Sequence, residues 1–340
     1  MRKFIFALMA SSLLSCSPVS AFWQEAVDSS LEVGVGYRQD NIKFKKELTG
    51  LSSSSNGSQN SSSSERPRFK SERKFKDMDI WLIEGRGKYV TCDNIYLRGA
   101  VDYGWITAGK LKRNFEFNNF EVESDLITNH RHLRGNVWDG KLALGYQFKW
   151  CDEAMSLSPV VGYGWNGQEI KRGHGDDYSY SSSSSSSYSY SDYSSSSRNK
   201  LTQHWKGPFI GIDLDYRLCC DWNLFASYEY HWADYHSKEK SEDNIGINGD
   251  FYSDSKIHMH GKNGSGNVLN FGVNWDLCDC WTLGVRGEFQ WWDVDKAHER
   301  RKVCKDRIAE EASFACNFNS ETKRITWDSA SVILDLGVAF

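Results

Sequence analysis

Apolar and polar residues alternate one by one through long stretches of this chain. Trp281, Leu283, Val285, Phe289 and Trp291 fall in one register, and Thr282, Arg286, Glu288 and Gln290 in the other. Ile210, Ile212, Leu214, Tyr216 and Leu218 oppose Gly211, Asp213, Asp215 and Arg217; Leu142, Leu144, Tyr146, Phe148 and Trp150 oppose Lys141, Ala143, Gln147 and Lys149. The last run sets Val332, Leu334, Leu336, Val338 and Phe340 against Ser331, Asp335 and Gly337. A period of two puts such sets on opposite faces of a β-strand. The runs exceed the five or six residues common in soluble strands. Aromatic residues also bracket the apolar register, with Tyr89, Trp150, Trp222, Trp275 and Trp281 at one end and Trp81, Trp105, Trp165 and Trp232 at the other. A soluble β-sandwich alternates too, but bracketing of this kind fits the interfacial girdles of a transmembrane barrel. The pattern predicts an all-β, antiparallel transmembrane barrel.

Short polar breaks interrupt the runs at Thr91-Cys92-Asp93-Asn94, Cys151-Asp152-Glu153, Cys219-Cys220-Asp221 and Cys278-Asp279-Cys280. They recur about every 60 residues, an internal period. Long polar segments near 48–70, 112–132, 171–203, 236–264 and 298–323 alternate with them. Five long connections and four tight turns predict ten strands, with short periplasmic turns and long extracellular loops. In hydrocarbon every backbone donor and acceptor must be paired internally, so the first strand, with Leu31, Val33, Val35 and Tyr37 outward, is expected to close on the last.

The N-terminus carries Arg2 and Lys3, an apolar stretch from Phe4 to Leu14, and Val19-Ser20-Ala21. That order reads as a signal peptide over 1–21, with 22–340 as the barrel. Leu13-Leu14-Ser15-Cys16 offers a lipoprotein site as the rival reading. Export implies the outer membrane as location, with outer-membrane lipid and the barrel assembly machinery as partners. A net charge of −4 gives no field that would draw nucleic acid. The Ser- and Tyr-rich stretch within about 172–200 cannot bury enough apolar surface to fold. It reads as a solvated extracellular tip or an adhesive surface.

The inward register is charged. Arg38, Glu84, Arg86, Lys88, Arg98, Asp102, Asp213, Asp215, Arg217, Glu229, Arg286 and Glu288 are expected to line the lumen. They could border a narrow aqueous pore or lock into ion pairs that fill it, since a wide channel needs about 16 strands. Asp234-Tyr235-His236 could set a carboxylate beside a general base. It resembles the Asp–His pair of omptins, ten-stranded outer-membrane proteases. Asp77-Met78-Asp79 has the spacing of that family's second pair, but follows the first long loop rather than the second. No enzymatic activity, cofactor or metal site is expected: no cysteine spacing fits zinc, and His258 and His260 read as a chance pair.

Eight cysteines remain after the signal, and a cysteine marks every tight turn. An oxidising envelope favours disulfides at Cys92, Cys151, Cys219, Cys220, Cys278, Cys280, Cys304 and Cys316. The last two, in the fifth long segment, are expected to bond each other or an external partner. The signal, the opening Leu31-Glu32-Val33-Gly34-Val35-Gly36-Tyr37, the cysteine turns and the terminal Phe340 together resemble the protochlamydial outer-membrane porin family. The resemblance implies passive diffusion of small hydrophilic solutes, with disulfides to other envelope proteins or to further copies of the chain. A closed barrel acting as adhesin or omptin-like protease is the alternative.

Overall fold

The computed structural model describes residues 29–49, 68–117, 120–122, 133–151, 154–172, 197–219, 221–244, 251–277, 281–307 and 314–339. The signal-peptide reading, much of the Ser/Tyr-rich segment, Cys220, Cys278, Cys280 and Phe340 lie outside them. The strands are β1 (Ser30–Thr49), β2 (Arg68–Val90), β3 (Ile95–Phe117), the short β4 (Phe120–Val122), β5 (Leu133–Tyr146) continued by β6 (Phe148–Trp150), β7 (Met155–Arg172), β8 (Ser197–Cys219), β9 (Trp222–Asn244), β10 (Phe251–Asp276), β11 (Trp281–Arg307) and β12 (Phe314–Ala339). Each long strand pairs antiparallel with its sequence neighbour, and β1 pairs with β12 from Ser30↔Ala339 onward. The sheet therefore closes as a ten-stranded barrel without an edge.

Among the described residues, the cysteine-bearing breaks at Cys92 and Cys151 are tight turns. In the first, Asn94 donates its N–H to the Thr91 carbonyl at 2.9 Å and takes φ 61°, a left-handed conformation that Asn tolerates. Over the lower half the alternation reads as the sequence predicts. Val33, Val101, Val161, Val332 and Leu334 are at least half exposed on the outer wall, with Trp81, Trp105, Trp165 and Trp232 along its upper border.

The strands run well past that border. A membrane crossing needs roughly 9–11 residues, whereas β10 and β12 have 26 and β11 has 27. Much of what polar composition marks as loop is strand, because alternation continues there with its sense reversed. Below the border apolar side chains face out; above it Ile42, Phe44, Phe75, Leu111, Leu201, Tyr235 and Ile325 face in and are buried. In β2 and β10 the face changes at a bulge holding a residue of positive φ, Asp77 and Asn263; in β11 it changes at Lys296, also of positive φ, without a register shift against β10 or β12. One inserted residue puts the side chains on its two sides on opposite faces, so Phe75 and Met259 point inward above the bulges.

Gly135 in β5 has φ 154°, and a Cβ there would stand 1.7 Å from the Glu169 carbonyl oxygen. Backbone would have to move, so Gly135→Ala should destabilise the barrel by about 1–3 kcal/mol, the usual range for overpacking. A lower urea midpoint in micelles at unchanged slope checks it.

Candidate functional site

The lumen has two filled layers. In the lower one, ion pairs reach across the barrel rather than along its wall. Arg98 of β3 lies 2.8 Å from Asp213 of β8 and 2.8 Å from Glu229 of β9. Lys141 of β5 lies 3.2 Å from Glu229 and 3.6 Å from Glu288 of β11. Arg286 of β11 meets Glu84 of β2 at 2.7 Å and Asp335 at 3.5 Å. Nearer the wall, Arg86 meets Glu32 at 2.6 Å.

A second network begins at Arg38, which donates to both oxygens of Asp40, at 2.7 and 2.9 Å, and to Asp139 of β5 at 2.5 Å. Asp102 accepts the Asp139 backbone N–H at 2.8 Å. Asp40 also accepts from Gln168 of β7 at 2.6 Å, Gln168 accepts from Gln203 of β8, and Gln203 accepts from the Tyr235 hydroxyl. One hydrogen-bonded chain thus spans β1 to β9.

Above these groups lies a single apolar cluster with members from all ten long strands, among them Ile42, Met78, Ile106, Val137, Ile170, Trp205, Tyr235, Val268, Trp292 and Trp327. Trp292 stacks on Trp327 at 5.7 Å, and Trp205 sits 5.8 Å from Trp292. Between the layers the cavity bordered by Glu84, Asp102, Asp139, Glu229 and Glu288 holds only about 30 Å³, on the scale of one water molecule. Below them a vestibule of about 470 Å³ is lined by Glu32, Arg86, Lys88, Asp213, Asp215 and Arg217, among others.

Eleven of the twelve charged residues expected in the lumen are therefore buried or half-buried there; Arg217 is exposed at the lower rim. The apolar layer above them was not anticipated from the sequence; of its members only Leu201 and Met259 fall in the long polar segments.

Asp234 and His236 stand elsewhere. Along β9, Ala233, Tyr235 and Ser237 face in, so Asp234 and His236 face out. His236 Nδ1 is 3.1 Å from Nδ1 of His260 on β10, not bonded to Asp234. On β2, across the barrel, Asp79 accepts the Tyr37 hydroxyl and Asp77 is 3.2 Å from Lys110. Two outward-facing pairs on opposite walls do not converge on one substrate.

His236 belongs to a row. It pairs with His204 of β8 on one side and His260 on the other, and His260 pairs with His298 of β11. With His258 these line an outer-wall groove of about 900 Å³, together with Glu169, Lys200, Lys238, Lys240 and Arg300. Burial lowers the His236 pKa, aided by His260 and Lys206; burial and Lys206 lower that of His204. Hydrogen bonds from Lys171 and Lys200 hold Glu169 below the usual carboxylate range.

A family model described as Protochlamydia outer membrane protein matches residues 32–340. The chain belongs to that family. Membership, with the closed barrel, places the protein in the outer membrane. No curated protein matches it. Among solved structures, the outer membrane protease OmpT of Escherichia coli is similar with a TM-score of 0.59 at 13 % identity, over 92 % of this chain and 97 % of that one. The toluene transporter TodX of Pseudomonas putida gives 0.34 at 8 % identity, over 92 % and 89 %. The translocator domain of the autotransporter NalP from Neisseria meningitidis gives 0.31 at 10 % identity, over 98 % and 96 %. At such identities the OmpT likeness is one of fold alone.

Cys92 and Cys151, in the turns after β2 and β6, are free and exposed. In the β11–β12 register Cys304 stands opposite Ala315 and Cys316 opposite Val303, so the two cysteines are offset by one position rather than directly opposed.

Proposed function

We propose that this member of the family is a closed structural barrel, anchoring its extracellular segments in the outer membrane, rather than an open diffusion porin or an enzyme. The observation that carries the reading is the apolar cluster to which every long strand contributes, lying above cross-lumen ion pairs. Buried polar networks of this kind fix side chains, and a solute would have to displace both layers. The 470 Å³ vestibule opens below them and ends at Arg98 and Asp213. The free, exposed Cys92 and Cys151 suit disulfides to a periplasmic partner or to another copy of the chain.

Conductance in a planar bilayer is the test. Correctly folded protein, judged by heat-modifiable migration on gels, should add no steps above the bare membrane. Unitary steps that scale with salt would restore the porin that the sequence resemblance implies.

A further inference from the structure

We infer that the outer wall carries a transition-metal site, of the Zn²⁺, Ni²⁺ or Cu²⁺ class, built on the facing imidazoles of His236 and His260. The strand register supplies the first observation. Four of the chain's nine histidines, His204, His236, His260 and His298, occupy one row across β8, β9, β10 and β11, each directly opposite the next. Directly opposed residues hold their Cβ atoms about 4.5–5.5 Å apart, a separation at which two imidazoles can reach one ion. The second observation is the ring geometry. The two Nδ1 atoms are 3.1 Å apart, and the ring centroids 4.2 Å apart. A tetrahedral ion with bonds of about 2.0–2.1 Å holds two nitrogens roughly 3.3 Å apart, so the nitrogens are already spaced for one ion, and the rings, whose planes lie 33° apart, must turn outward to aim both lone pairs at it.

Among the described residues no three His, Cys, Asp or Glu side chains converge as a ligand set. The pair therefore offers two protein ligands and leaves the other positions to water, or to His204 or His298 by rotation. Imidazole suits zinc, copper and nickel over magnesium or calcium, whose preferred ligands are oxygens. The cationic neighbours Lys206 and Lys238 repel a divalent ion, but in an open groove such repulsion is screened. The site lies four residues beyond Trp232 on β9, roughly 13 Å along the strand. That is above the apolar band, where an ion reaches it from water. The inference is independent of whether the lumen conducts.

The test uses the full chain without a histidine tag, in detergent micelles. Calorimetric titration with Zn²⁺ should show one ion per chain. His236→Gln and His260→Gln should each weaken binding at least tenfold, about 1.4 kcal/mol, while His258→Gln leaves it within threefold. Electron paramagnetic resonance of bound Cu²⁺ on the unaltered protein should show coupling to two nitrogens, a readout that needs no variant to fold. Absence of Zn²⁺ binding, binding that survives both substitutions, or a Cu²⁺ spectrum with oxygen ligands alone would overturn the site.

Discussion

Replacing Arg38 by methionine should destabilise the barrel by about 3–5 kcal/mol, the usual consequence of removing one partner from a buried ion pair. Arg38 is 1 % exposed. It is the cation shared by Asp40 and Asp139, and Asp102 is tied to the same place through the Asp139 backbone. Methionine nearly fills the volume, so packing changes little and the loss is electrostatic: three carboxylates remain together in a space without bulk water. The guanidinium also lies 5.1 Å from the centre of the Trp327 ring, a contact methionine keeps only in part. Adding Asp40→Asn should recover a sizeable share of the loss, because it removes one of the stranded charges. Urea unfolding in micelles, read as a double-mutant cycle, gives both numbers. A loss below about 1 kcal/mol, in the range of exposed pairs, would mean that water reaches Arg38 and the lumen is open. The measurement therefore bears on the closed-barrel reading as well as on stability.

How far the sequence could be read follows from what period-two alternation encodes. Leu31, Val33 and Val35, or Leu334 and Leu336, declare their face without reference to any other strand. So did the turns at Cys92 and Cys151 and the inward setting of Arg98, Glu229 and Arg286. Two things were hidden. Single inserted residues at Asp77 and Asn263 reverse the faces of β2 and β10, the positive-φ Lys296 marks the reversal in β11, and nothing local in a polar stretch announces either. Above those bulges Met259 falls in a segment read as loop, and Phe75, set among charged residues, in no recognised apolar run, although both belong to a core assembled from every long strand.

Which charge meets which was equally out of reach. Arg73 of β2 lies 2.5 Å from Glu239 of β9, a match made by barrel closure and not by spacing along the chain. The histidine row has the same origin. His236 was visible only as a neighbour of Asp234, and the two-residue spacing that suggested a catalytic pair is the spacing that puts both on the outer wall. Its actual partners, His204 and His260, come from the flanking strands.

The second large effect should come from charging the lipid-facing wall, and it should depend on depth. Val33 lies on β1 within the apolar band, half exposed, with Gly85 and Leu336 opposite it on β2 and β12. Arginine there has only hydrocarbon to face, and Gly85 offers no side chain to pair with it. Near the middle of the bilayer such a substitution costs about 2–4 kcal/mol, falling to about 0–1 near the interface. Gln39, on the same strand and face, lies one register position above Tyr37 and therefore past the upper aromatic border. Val33→Arg should lower folding stability in lipid vesicles by about 2–4 kcal/mol, and Gln39→Arg by no more than about 1. Sharing a strand and a new residue, the pair cancels propensity and leaves depth as the variable. In detergent the difference should shrink, because a micelle deforms around a charge more readily than a bilayer. Equal losses at both positions would place the apolar band elsewhere on the wall, and the level assigned to the histidine groove would move with it.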